Sequence, residues 1–224
     1  MKNISKVSLL IFFLITISTL QSCTQSAKNE RLPLLGRREV ITKIEDGKNM
    51  VDTMYHTVSD FSFVDQDSAL VTNETYDGKI YIADFFFTTC PSICPIMHTQ
   101  MLRVYEQFKD EDRLGMLSYS IDPSHDSVSV LKDYADRLGV EDVAKWHFVT
   151  GDKDKIYDLG QNGYMVAARE DPNAPGGQVH SGALILVDKE RHIRGFYDGT
   201  KPEKVDQLLL DIPKLLKEYE NDEK

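Results

Sequence analysis

Apolar and polar residues along this chain change period several times, and each change marks an element. Residues 79–87 (KIYIADFFF) form a nearly continuous apolar run, the pattern of a central strand buried on both faces. From Cys94 onward Met97, Met101, Leu102, Val104, Tyr105 and Phe108 recur at helical spacing, which predicts a helix over residues 94–108. Residues 114–121 (LGMLSYSI) read as a second buried strand, and residues 127–138 as a helix stopped by Gly139. A short strand follows at 146–149 and a short helix at 153–159. Residues 183–187 (ALILV) and 193–197 are two further strands around a tight turn, and residues 202–219 close the pattern as a helix. Ahead of all these, residues 61–65 and 69–72 alternate as a small hairpin.

The order is therefore hairpin, then β-α-β-α-β-α, then β-β-α. Such alternation predicts an α/β fold with parallel strands in one sheet and helices on both faces. Two strands joined by a tight turn and followed by a helix are the ending of the thioredoxin arrangement. The expectation is thus a thioredoxin-like fold, with a central mixed β-sheet flanked by helices and an N-terminal β-hairpin.

The first 22 residues are a different material. Lys2 and Lys6 are their only charges, and an apolar run spans residues 7–20. Fourteen residues of helix reach about 21 Å, short of the roughly 30 Å of a bilayer core. A charged start, a short apolar core and small residues after it read as an export signal. Leu20-Gln21-Ser22-Cys23 resembles the lipobox of bacterial lipoproteins, whose Cys becomes the acylated first residue. Two acyl chains suffice for stable anchoring. The predicted organisation is a signal peptide at 1–22, a lipidated polar tether at 23–50, the folded domain at 51–220 and a disordered tail at 221–224. The domain is expected in the periplasm of a bacterial cell envelope, held to a membrane through Cys23.

Composition narrows the class. The 224 residues are 41% hydrophobic and 28% charged, enough for a packed core. A net charge of −10 disfavours nucleic acid, which needs a basic surface.

The most informative stretch is residues 85–95, FFFTTCPSICP. In an exported protein two cysteines first suggest a structural disulfide. This pair would close too small a loop to restrict the unfolded chain much. It also falls at a strand-to-helix junction, where backbone N–H groups stabilise thiolates. The spacing is C-x-x-x-C, so on a helix both sulfurs share one face. That separation permits a disulfide, and it equally suits two thiolates on one soft metal ion. Redox and metal chemistry both stay open on spacing alone.

Three stretches in order, DFFFTTCPSICPIM, SIDPSHD and VHSGALILVD, are similar to the Sco (SenC) family, copper-handling assembly proteins of cytochrome c oxidase. The resemblance covers about residues 55–220. It implies copper, Cu(I) or Cu(II), on Cys90, Cys94 and His180. The family's D-P-x-x-D element falls on residues 122–126. As partners it implies the copper-site subunit of a terminal oxidase, with another copper chaperone or a thioredoxin-like reductant upstream. His180 also has support from below. Thioredoxin-type enzymes keep a cis-proline just before the strand after the long crossover, and here that place holds Val179-His180-Ser181-Gly182. An imidazole there turns a disulfide-exchange cleft into a three-ligand pocket. Residues 171–177 (DPNAPGG) are expected as a mobile loop that brings His180 in and out.

Other candidates read more blandly. Cys94, Met97, His98 and Met101 share a helix face, which suits Cu(I) but is also how a buried face looks, and core packing is the preferred reading. His56, His125, His147 and His192 have no ligand-spaced partners and read as surface or structural. Asp122 is expected to order the loop beside the dithiol or to cap its own turn. Asp84, inside an apolar strand, needs a partner that sequence does not name. Two functions follow: a copper metallochaperone using Cys90, Cys94 and His180, or a thiol-disulfide oxidoreductase using only Cys90 and Cys94 to keep the oxidase copper-site cysteines reduced. A peroxiredoxin is a weaker third, resting on Thr88-Thr89-Cys90.

Overall fold

The computed structural model describes residues 31–45 and 48–222; the signal segment and Cys23 lie outside them. Its elements are β1 (Arg38–Glu45), β2 (Lys48–Tyr55), β3 (Ser62–Asp65), β4 (Leu70–Thr72), β5 (Ile80–Phe86), α1 (Cys94–Gln107), β6 (Leu114–Ser120), α2 (Val128–Leu138), β7 (Trp146–Thr150), α3 (Lys153–Asp158), β8 (Ala168–Glu170), β9 (Gln178–His180), β10 (Ala183–Val187), β11 (Ile193–Asp198) and α4 (Pro202–Asp222). One seven-stranded sheet has the order β11-β10-β5-β6-β7-β3-β4. β5, β6 and β7 run parallel, while β10, β11, β3 and β4 add antiparallel edges. This is the mixed sheet of a thioredoxin-like fold.

The central strands are apolar on both faces because both faces are covered. Strand alternation sends Asp84, Phe86, Ser118, Trp146 and Phe148 to one face, where α1 and α2 meet them through His98 and Tyr134. Tyr81, Phe85 and Tyr119 go to the other, packing on Tyr164, whose hydroxyl lies 3.1 Å from that of Tyr81 and 2.9 Å from that of Tyr119. Helix α2 stops where predicted, at Gly139 with φ 82°, a left-handed residue that closes the helix without a Cβ penalty.

The structure departs from the sequence expectation in four places. Residues assigned to a tether are partly built into the domain: Leu35 bridges to Ile193 and the carbonyl of Leu32 accepts from Arg194, while β1 and β2 form an antiparallel ribbon. Alternation in that ribbon was masked by its scattered charges. Residues 159–163 continue α3 as a π-helical turn, with Gly160 lying close to Phe85. The expected loop at 171–177 is the turn of a hairpin, β8–β9. Helix α4 continues to Asp222, into the segment expected as a disordered tail.

Asp84 finds its partners on helix α1 and on the neighbouring strand β6. Its carboxylate accepts from His98 Nε2 at 3.0 Å and Ser118 Oγ at 2.5 Å, and His98 Nδ1 lies 2.7 Å from the Tyr134 hydroxyl. Asp84 and His98 are both fully buried, so removing one strands the other. Asp84→Ala is expected to lower the unfolding free energy by about 3 kcal/mol. A urea titration with an unchanged midpoint would contradict that role for the pair.

Candidate metal centre

Strand β5 delivers the chain to the dithiol. It ends at Phe86, and after a turn in which Cys90 N–H donates to the Phe87 carbonyl (3.1 Å), helix α1 opens on Cys94 with Pro95 behind it. A proline in the first turn forfeits no helical hydrogen bond. Cys90 is therefore in the turn and Cys94 on the helix, both free thiols, 8% and 1% exposed. The third group arrives from far away in sequence. β9 ends at His180, and β10, which pairs antiparallel with β5, begins three residues later. The imidazole Nε2 lies 3.2 Å from Cys94 Sγ and 3.8 Å from Cys90 Sγ, and the three donor atoms all fall within 4.8 Å of one another.

That spacing fits a metal. Bonds of about 2.0–2.3 Å in a trigonal arrangement put neighbouring donors roughly 3.7 Å apart. The tautomer fits too. His180 Nδ1–H donates to the Ser181 carbonyl at 3.2 Å, which leaves the Nε2 lone pair facing the sulfurs. The imidazole edge also packs on Phe87, with ring centroids 5.7 Å apart. Phe87, Cys90, Ile93, Pro175, Val179 and His180 are among the residues lining a cleft of about 180 Å³, so the centre opens on one side.

The two thiols differ electrostatically. Hydrogen bonding from Cys94 holds the Cys90 thiol far below its ordinary range, against the cost of burial. The same hydrogen bond and burial push Cys94 up. The pair thus shares one proton, kept on the inner sulfur.

The loop carrying Cys90 is tied down by the second acid of the D-P-x-x-D element, for which the sequence alone names no role. Asp126 is fully buried, and its carboxylate accepts from Thr88 N–H (3.0 Å), Thr88 Oγ1 (2.5 Å), Ser120 Oγ (2.6 Å) and His125 Nδ1 (2.9 Å). Asp122, expected to order this loop or to cap its own turn, closes the turn through its carbonyl, which accepts from the N–H groups of His125 and Asp126. Ser120 and Thr88, polar residues at the ends of apolar runs, were the available signal for a buried carboxylate. The hairpin bearing His180 is seated by Gly176: a Cβ there would lie 2.7 Å from the Phe87 ring, and its φ of 73° is one that glycine adopts freely.

The remaining histidines stay out of the centre. His98 is held by Asp84 and Tyr134, His147 Nδ1 lies 2.8 Å from Asp65, His56 Nε2–H donates to the Gly163 carbonyl, and His125 serves Asp126. Asp188, Glu190 and His192 form a second cluster of donors among the described residues, but Asp188 is committed to Arg194 at 3.0 Å and to two backbone N–H groups.

Comparison with known proteins agrees with this geometry. The SCO1/SenC family model matches residues 50–217. A SCO1 protein homolog of Bacillus subtilis is 26% identical over 168 residues, covering 74% of this chain and 86% of its own. A SCO1/SenC family lipoprotein from Bacillus anthracis superposes with a TM-score of 0.66 at 24% identity, over 72% of this chain and 95% of that one. Arabidopsis thaliana ScoI with copper bound gives 0.60 at 24%, over 73% and 99%. The fold, the three-residue centre and the extent of the match lead to one assignment: this chain belongs to the SCO1/SenC family.

Proposed function

We propose that the chain binds copper through the thiolates of Cys90 and Cys94 and Nε2 of His180, and delivers it to the copper site of a cytochrome c oxidase. The observation that carries this reading is the convergence of two sulfurs and one oriented imidazole within 4.8 Å. Thiolates favour Cu(I) and imidazole accommodates Cu(II), so the set tolerates either state, with zinc as a competitor. The open side of the cleft lets an incoming ligand from the oxidase attack the metal before this chain's donors leave. Copper bound to the structurally similar Arabidopsis protein supports the choice of metal. An export signal and an acylated Cys23 would hold the centre at a membrane in the cell envelope, where the oxidase copper subunit, a donor chaperone and a thioredoxin-like reductant could reach it.

The thiolate–thiol asymmetry supports a second reading. A low-pKa Cys90 beside a protonated Cys94 is also what a thiol-disulfide reductase uses. Cys90 would attack a partner disulfide and Cys94 would resolve the mixed disulfide, so two electrons and the proton of Cys94 pass to the partner, whose other thiolate takes its proton from solvent. Oxidation of this pair removes the metal site, and the two roles exclude each other at any instant.

Substituting any one ligand, Cys90→Ser, Cys94→Ser or His180→Ala, is expected to weaken copper binding by more than about 100-fold, beyond what loss of an outer-shell partner costs. Unchanged affinity and stoichiometry in Cys94→Ser, read by titration of the reduced protein, would refute the ligand set. In cells lacking the native chain, full restoration of oxidase activity by His180→Ala but not by Cys90→Ser would favour the reductase.

The proton balance gives an independent check. At neutral pH Cys90 is already a thiolate and Cys94 keeps the proton, so copper binding displaces about one proton from the pair. Affinity then falls about tenfold as pH drops from 8 to 7. Calorimetry in buffers of different ionisation enthalpy measures the number released, and a value near two would contradict the asymmetry.

A further inference from the structure

Outside the metal centre, the largest unexplained feature is the ribbon β1–β2. Its register pairs Arg38 with Tyr55, Val40 with Thr53, Thr42 with Val51 and Ile44 with Asn49, so these eight side chains share one face. That face carries no acidic residue. Val40, Ile44 and Val51 on it are 71%, 75% and 72% exposed. The opposite face holds Glu39, Lys43, Lys48 and Asp52 among Ile41, Met50 and Met54, with Lys43 paired to Asp52 at 2.6 Å, so what sets the two faces apart is charge. A two-stranded ribbon with its β-branched face in water is marginal on its own. It needs something to lie on.

We propose that this face rests on the surface of a lipid bilayer. A second copy of the ribbon is too small a partner. Eight residues of two strands offer a face of about 26 by 10 Å, so a face-to-face pair would bury roughly 500 Å², against about 1,200 Å² for a stable interface. The chain that precedes the ribbon points to a membrane instead. Eight residues, 24–31, separate Cys23 from Leu32, where the domain begins, and the nine steps between the two span at most about 32 Å. An anchor at Cys23 therefore keeps the ribbon, six residues further on, within reach of the bilayer. A face without acids is not repelled by anionic headgroups, and Arg38 stacked on Tyr55 at 5.4 Å supplies a cationic and aromatic pair suited to the interface. The ribbon, through its acid-free face, thus acts as a second, weak contact beside the acyl chains and limits how the domain is presented. The proposal rests on the lipid anchor but not on the copper reading.

The test uses the full-length chain, reconstituted in vesicles of phosphatidylethanolamine and phosphatidylglycerol with brominated acyl chains. Val51→Trp places a reporter on the acid-free face and Met50→Trp places one on the other; the natural tryptophan, Trp146, is fully buried and serves as background. Both substituted positions are exposed, so the fold is expected to persist, as an unchanged copper titration would show. The expected result is bromine quenching several-fold stronger at position 51 than at 50. Equal or absent quenching in protein that sediments with the vesicles overturns the docking while leaving the anchor intact. Absent quenching with concentration-dependent cross-linking between copies assigns the face to a second copy and also overturns it. Wild-type chain that stays in the supernatant overturns the anchor and the docking together, and a copper titration of the same samples reads the metal proposal separately.

Discussion

Strand β10 lies beside β5 and runs against it, and the metal centre depends on that pairing. Because the two are antiparallel, the C-terminal end of β5, where the dithiol follows, meets the N-terminal end of β10, where His180 precedes. Ladder contacts such as Ala83 with Ile185 fix this geometry without any group at the site taking part. Three donors separated by up to 90 residues of chain converge because two backbones are hydrogen-bonded some distance away. Sheet register is a stiff constraint, since a slip of one residue would exchange the faces of every side chain in β10.

On this frame the two halves of the centre are held differently. The dithiol is built into the core: Asp126 gathers the loop before Cys90 from one side, and the Asp84–His98–Tyr134 network fixes helix α1 one turn beyond Cys94. These are buried carboxylates with several donors each, costly to leave unmet and so demanding of position. His180 instead stands at the end of a short two-stranded hairpin, half-buried, seated through Gly176 on Phe87. The two sulfurs are thus set in the core, while the third donor sits on a small appended hairpin. The expected mobile loop at 171–177 therefore becomes the turn of that hairpin.

Legibility followed period. Residues 183–187 and the stop at Gly139 were visible because a buried strand and a helix end have strong local signatures. The ribbon at 38–55 was missed because its alternation serves a face that no part of the described chain covers, and its polar residues made it resemble a linker. The π-turn at 159–163 and the strands β8 and β9 were missed because three to five residues are too few to show a period. Asp84 announced itself as a buried acid, yet its partner His98 read as an ordinary core residue on a helix face. Only packing joined the two.

The sequence by itself determined the chemistry available: two cysteines at a strand-to-helix junction, an imidazole in place of a proline, a run of apolar strands able to carry them, and a leader read as an export signal. These are local properties, set by spacing and residue type. Tertiary structure alone decided which acid ties down the loop before Cys90, Asp126 and not Asp122, and which nitrogen of His180 faces the sulfurs. Those outcomes turn on distances of a few ångström between segments remote in the chain, where burial strengthens each hydrogen bond and penalises every charge left alone.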